Sequence, residues 1–304
     1  MTTRQAEPGA IVLGSAAGGG FPQWNCGCHL CRLARINDPR VRPATQAGIA
    51  VSGDGESWLL LGASPDLRQQ LGQTPRLWPR SNTRDSPIIG VVLTGGDIDA
   101  IAGLLVLRER HPFTVYGPAS VLGILADNDV FKVLDPGIVR MQPIEPGVPV
   151  ACGGGMTLTL VPLPGKVPLY RETPGATEAE SGSVYAAMIR TADKCVVFAP
   201  GCAVIDDAVL EKLSAADVLF FDGTLFTDDE MIRAGLGTKT GTRMGHSPVG
   251  GPDGTLVRLA NLPARRILLH INNTNPIWLS DSPERKQVED AGFEVAFDGM
   301  EVPL

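Results

Sequence analysis

No apolar run in the 304 residues approaches the roughly 20 consecutive positions that a membrane helix needs. The N-terminal stretch Met-Thr-Thr-Arg-Gln-Ala-Glu-Pro also lacks the apolar core of a secretory signal, so the expectation is a cytoplasmic protein with no membrane partner. An excess of positive charge is missing too. Lys and Arg number 26 against 33 Asp and Glu, a net charge of −7, which argues against broad affinity for nucleic acid or an anionic surface. Nor is there a disulfide framework. Of six cysteines, Cys26, Cys28 and Cys31 stand together, while Cys152, Cys195 and Cys202 are dispersed and read as core packing. The 36 glycines and 25 prolines punctuate turns rather than filling a low-complexity segment. With 43% hydrophobic residues and no shift of composition to mark a boundary, the reading is one domain over residues 1–304.

What is present centres on residues 11–31, where a short apolar run passes into a glycine-rich loop and then the three close cysteines. Thiolates at Cys26, Cys28 and Cys31 can converge on one soft cation, and a fourth ligand from elsewhere would complete the tetrahedron of a structural zinc. His29 lies within the cluster but is badly placed to reach the same ion from the opposite side. His270, on a distant strand-like run, would close the loop onto the core, although its apolar neighbours Ile267 to Leu269 equally suit a core histidine. The glycines at 14 and 18–20 do not follow the G-x-G-x-x-G spacing, so tight turns explain them better than a dinucleotide loop.

The rest of the chain alternates strand and helix signals. Residues 45–52 and 57–61 predict two antiparallel strands around Gly-Asp-Gly, and 64–71 opens a short helix with serine at its cap and Pro65 at its first position. Residues 88–94 predict a buried strand followed by Asp97 and Asp99, with helical spacing at Ile101, Leu104, Leu105 and Leu107. Strands are expected at 113–116, at several places in 137–161, and at 184–189, 195–199, 218–222, 266–271 and 293–297. Helices are expected at 118–126, 206–213, 253–261 and 283–291. Two strand-rich halves mixed with helices suggest two packed sheets with helices outside.

Asp97, Asp99, Asp222 and His246 fall at or after the ends of buried strands, in loops that commonly carry chemistry. Carboxylates with one imidazole suit a harder metal such as iron or manganese, and these four are the candidate catalytic residues. The run Asn272-Asn-Thr-Asn-Pro is dense in amides that could orient ligands or bind a polar substrate.

These residues carry a resemblance. The blocks Leu13-Gly-Ser-Ala-Ala-Gly-Gly-Gly-Phe-Pro-Gln-Trp-Asn-Cys-Gly-Cys, Ala63-Ser-Pro-Asp-Leu-Arg-Gln-Gln, Gly103-Leu-Leu-Val-Leu-Arg-Glu, Phe221-Asp-Gly-Thr, Gly237-Thr-Lys-Thr-Gly, Met244-Gly-His and His270-Ile-Asn-Asn-Thr-Asn-Pro occur in order along nearly the whole chain. Together they resemble the coenzyme PQQ synthesis protein B family of the metallo-β-lactamase superfamily. The resemblance implies an α+β, four-layer αββα sandwich of two mixed sheets. It also implies a structural zinc on Cys26, Cys28, Cys31 and His270, and service in pyrroloquinoline quinone (PQQ) biosynthesis. The step it implies is iron- and dioxygen-dependent hydroxylation of the tyrosine in a peptide-derived glutamate–tyrosine precursor, with iron on Asp99, Asp222 and His246, helped by Asp97. The superfamily pattern Thr-His-x-His-x-Asp-His falls on Thr94 to Ala100, where only Thr94 and Asp99 match. Ala100 stands where even this family normally has histidine, and an alanine offers no ligand, so metal affinity or activity is expected to be reduced.

A second reading is a carrier that holds PQQ or a precursor without chemistry. Gly18, Gly19, Gln23, Trp24, Lys239, Arg243 and Asn273 are the expected ligand-binding residues, through hydrogen bonds and positive charge. A β-lactamase-like hydrolase is the weaker third reading, because the paired histidines that hold a zinc-bound water are absent. Expected partners are the small precursor, other proteins of the same pathway and a second copy of the chain.

Overall fold

A computed structural model describes residues 7–171 and 184–304. Two seven-stranded mixed sheets form its centre. The first runs β14 (Glu301–Pro303), β1 (Gly9–Gly14), β2 (Gly48–Ser52), β3 (Trp58–Leu61), β4 (Ile88–Val92), β5 (Phe113–Gly117) and β6 (Val139–Pro143). The second runs β13 (Phe293–Val295), β12 (Arg265–Leu269), β11 (Val218–Asp222), β10 (Cys195–Ala199), β9 (Val184–Arg190), β8 (Met156–Leu163) and β7 (Val150–Gly153). Strands β3 to β6 pair in parallel, as do β10 to β13, and the other pairings are antiparallel.

The layering follows from strands that are apolar on both faces. In β3, Leu59 and Leu61 face the second sheet while Trp58 and Leu60 face the outer helices. In β11, Val218 and Phe220 pack between the sheets, and Leu219 and Phe221 pack outward. A period-two strand whose alternate residues are all apolar must be covered on both sides. Helices supply the outer layers, among them Ala119–Ala126 on one sheet and Asp207–Leu213 and Pro283–Asp290 on the other. The latter two start at side-chain caps: Asp206 Oδ1 accepts the Val209 N–H at 2.8 Å, and Ser282 Oγ accepts that of Arg285 at 3.0 Å. None of the described helices is long and apolar enough to cross a membrane. Cys152, Cys195 and Cys202 are buried and unpaired, as expected of core cysteines.

Several local expectations are corrected. The helix expected through Leu107 is an α-turn at Ile98–Ile101 followed by a 3-10 turn at Ala102–Leu107. Gly103 lies so close to the backbone that a Cβ would sit 2.2 Å from the Ser64 carbonyl oxygen, and this contact fixes the chain's path. The helix expected over 253–261 is only Thr255–Arg258. The helix His29–Arg35 and strand β14 have weak sequence signals; the helix begins where the Cys28 sulfur accepts the Cys31 N–H at 3.5 Å. His270 lies just beyond β12 in the left-handed region, φ 57°, because the chain turns there to pair with the N-terminal loop. Ile271 donates its N–H to Ser15 at 2.9 Å and accepts that of Ala17 at 2.9 Å. Through those bonds the glycine-rich loop spans the two sheets and carries the cysteines beneath the second one.

Candidate metal centres

The first centre is local. Cys28 and Cys31 flank the first turn of the His29–Arg35 helix, and the sulfurs of Cys26, Cys28 and Cys31 all lie within 4.8 Å of one another. Arg35 clamps the preceding loop by donating to the carbonyls of Cys26 at 2.5 Å and Gln23 at 2.6 Å. Burial pushes the Cys31 thiol up to about 12, and the neighbouring Cys28 and Cys26 reinforce it. Burial also pushes Cys28 upward, but the Cys31 backbone N–H and its side-chain partners outweigh it and leave the thiol below its ordinary value. Three sulfurs this close cannot all ionise without a cation among them, which is the donor set of a soft metal such as zinc.

The fourth side chain at this centre is Asn273, not His270. Its Nδ2 stands 3.2 Å from Cys26 Sγ, 3.5 Å from Cys31 Sγ and 3.7 Å from Cys28 Sγ. Turned about its last torsion, the amide would present Oδ1 at the same place, so the residues fit a tetrahedral ion. His29 is exposed and lies outside the group of converging donors.

The second centre lies where the C-terminal ends of parallel strands from both sheets meet. Gly62 after β3, Thr94 after β4, Gly201 after β10, Thr224 after β11 and His270 after β12 line one cavity of about 310 Å³. The donor atoms of Asp222, His246 and His270 lie within 4.8 Å of one another. The two imidazoles stack with centroids 5.2 Å apart. His270 Nε2 is 3.1 Å from Asp99 Oδ2, so Asp99 from the other sheet touches the converging donors through that one nitrogen. This is where His270 belongs, and the expectation that it closes the cysteine site is corrected: its ring is held between Asp99 and Thr224.

The charges are strongly interdependent. Burial pushes Asp99 upward, yet its hydrogen bond to His270 and the nearby positive charge bring it below the usual carboxylate value. Burial pushes His270 down, and Asp99, with the charges of Asp222 and Asp97, outweighs this and raises it. Asp97 is raised, first by burial and then by the charge of Asp99. Clustered acids and imidazoles of this kind suit a divalent cation with nitrogen and oxygen ligands.

Of the other expected residues, Asp97 and Gly18 line this cavity, and a Cβ on Gly18 would come within 3.4 Å of Asp99 Oδ2. Gln23, Trp24, Lys239 and Arg243 are not among its lining residues. Trp24 is 84% exposed, Arg243 is exposed, and Gln23 bonds to Asn25. Ala100 does line the cavity. Sequence reasoning missed Thr224, Lys166 and Met231, which also line it. The only signal for Thr224 was its place in Phe221-Asp-Gly-Thr, two residues after the strand-end carboxylate.

The Beta-lactamase superfamily domain, as a family model, matches residues 57–271. Coenzyme PQQ synthesis protein B of Gluconacetobacter diazotrophicus is 50% identical over 301 residues, covering 96% of this chain and 98% of that one. The chain belongs to the coenzyme PQQ synthesis protein B family. Its counterpart in Methylobacterium radiotolerans is 49% identical over 97% of this chain and 99% of its own. The crystal structure of Zn(2+)-bound PqqB from Methylobacterium extorquens superposes with a TM-score of 0.95 at 47% identity, covering 97% of this chain and all of that one. The metallo-β-lactamase fold and its two mixed sheets are therefore those of this family. A diphosphatase of the PhnP family, at 22% identity and a TM-score of 0.68, shares the fold.

Proposed function

We propose that the chain acts in PQQ biosynthesis as an iron- and dioxygen-dependent hydroxylase of the tyrosine ring in a glutamate–tyrosine precursor. The names of its relatives support the pathway. The observation that carries the chemistry is the convergence of His246, His270 and Asp99 at one cavity, since two imidazoles and a carboxylate with open positions are a donor set for ferrous iron. Asp222 supports them from behind. Bound iron would supply activation of dioxygen toward the ring. Met231, Met244, Phe198 and Val184 give the cavity an apolar wall suited to an aromatic ring, and Lys166 offers positive charge for a substrate carboxylate. Asp97 also lines the cavity, where its carboxylate can accept a hydrogen bond from the substrate. The cysteine centre, with Asn273, would hold zinc in a structural role.

Anaerobic loading with Fe(II), followed by separate zinc and iron counts and dioxygen uptake with a glutamyl-tyrosine substrate, tests this reading. One iron beyond the zinc and substrate-dependent uptake are expected; no second metal, or no uptake, would sink it. Ala100 borders the cavity where the family pattern has histidine, so Ala100→His is expected to tighten iron binding or raise turnover. Absence of either gain would mean that position 100 is not the missing ligand. The carrier reading has weaker support, because Gln23, Trp24, Lys239 and Arg243 do not line the cavity.

A further inference from the structure

Asp222 is fully buried, and each acceptor position of its carboxylate is already taken. Oδ1 accepts the Thr224 backbone N–H at 3.0 Å and the Thr224 hydroxyl at 2.6 Å. Oδ2 accepts the Cys202 backbone N–H at 3.1 Å and stands 2.8 Å from His246 Nδ1. An ionised carboxylate has about four lone-pair sites, so these contacts leave none for a cation. Because the carboxylate can only accept, the proton between the two side chains belongs to His246 Nδ1. His246 Nε2 then keeps its lone pair.

Thr224 completes the arrangement. Its hydroxyl has one proton and two acceptors within reach, Asp222 Oδ1 at 2.6 Å and the His270 backbone carbonyl at 2.9 Å, and the shorter contact to the charged oxygen directs it to Asp222. Its oxygen is therefore an acceptor toward the imidazoles, at 2.9 Å from His270 Nδ1 and 3.0 Å from His246 Nδ1. The other nitrogen of His270, Nε2, donates to Asp99 Oδ2 at 3.1 Å, since that carboxylate too can only accept, and a cation bound between them would take the place of this proton. We infer that Asp222 and Thr224 are positioning residues rather than ligands, holding both imidazoles with the proton on Nδ1 so that a cation meets His246 Nε2, His270 Nε2 and Asp99. A carboxylate or hydroxyl behind a ligating histidine fixes its tautomer and its aim in this way. The inference rests on a metal occupying the cavity, and it gives Asp222 a different role from the iron ligand that the resemblance implies.

The test uses full-length protein with zinc in the cysteine centre and no metal in the cavity. Long-range proton–nitrogen NMR should place the His246 proton on Nδ1 in the wild type and in Thr224→Ser. A proton on Nε2 would overturn the inference. Titration with Co(II) should show Thr224→Val binding about tenfold or more weakly, with an altered ligand-field spectrum, and Thr224→Ser within about threefold of wild type. Wild-type affinity and spectrum in a folded Thr224→Val variant would also overturn it. If the wild type takes up no Co(II) at the cavity, the hydroxylase reading and this inference fail together, whereas uptake with the His246 proton on Nε2 overturns the positioning role alone. Should Thr224→Val not fold, the NMR arm and Thr224→Ser suffice.

Discussion

Asn273 is 4% exposed, and its amide reaches all three sulfurs of the cysteine centre. Replacing it by alanine removes a buried polar group from three partners and opens the fourth position of any bound ion. Asn273→Ala is expected to cost about 1–3 kcal/mol in urea unfolding and to release zinc to a chelator faster than wild type. Unchanged retention would show that the amide does not close the site. Local spacing made Cys26, Cys28 and Cys31 legible, because ligands within one loop can be read from sequence separation alone. Asn273 was not, since an asparagine is ordinary in a polar run and its contact depends on a loop some 240 residues away. His270 and Asn273 are three residues apart, yet the turn at His270, φ 57°, leaves them serving different centres.

At the level of elements, Glu230 joins two of the loops that build the cavity. Its carboxylate accepts the Phe226 N–H at 2.8 Å, in the loop after β11, and the Thr274 hydroxyl at 2.5 Å, in the loop after β12. Burial raises its pKa despite these bonds. A raised carboxylate favours the protonated form in the folded state, so its contribution is greatest below the unfolded pKa and is lost as pH rises through the folded one. Glu230→Gln removes that loss. Relative to wild type, the variant should gain stability as pH rises above the ordinary carboxylate range in urea unfolding, and a difference that stays constant with pH would contradict the prediction. Strand positions were legible at this scale because double-faced burial leaves unbroken apolar runs such as Val218 to Phe221. Helix lengths were less so. The turn at Ala102–Leu107 is shaped by the approach of Gly103 to Ser64, a contact that hydrophobic spacing does not encode.

Across the whole molecule, the N-terminal loop acts as a tie between the sheets. Ala16 bridges to Gln46 beside the first sheet and to Ile271 beside the second. Asp298 holds the same loop, accepting from the N–H and hydroxyl of Ser15 at 3.0 and 2.8 Å and from those of Thr45 at 2.7 Å each. With a metal on its cysteines, this loop is anchored at its far end as well. Removing that metal with a strong chelator should lower Tm by about 5 °C or more, with little loss of far-UV ellipticity at room temperature. An unchanged Tm in demonstrably zinc-free protein would show that the sheets do not depend on the anchored loop.

Sequence alone determined the features that depend on near neighbours: the cysteine cluster, the doubly buried strands, the strand-end carboxylates and the ordered motifs that resemble one family. Those features follow from spacing along the chain, and spacing is what a sequence records. Only the tertiary structure decided which distant groups share a centre. It set His270 beside Asp99 from the opposite sheet, brought Asn273 to the cysteines, and made Thr224 the contact among Asp222, His246 and His270. Two sheets must pack face to face before the ends of their parallel strands meet, and chemical type cannot reveal which of several polar residues arrives at a given point.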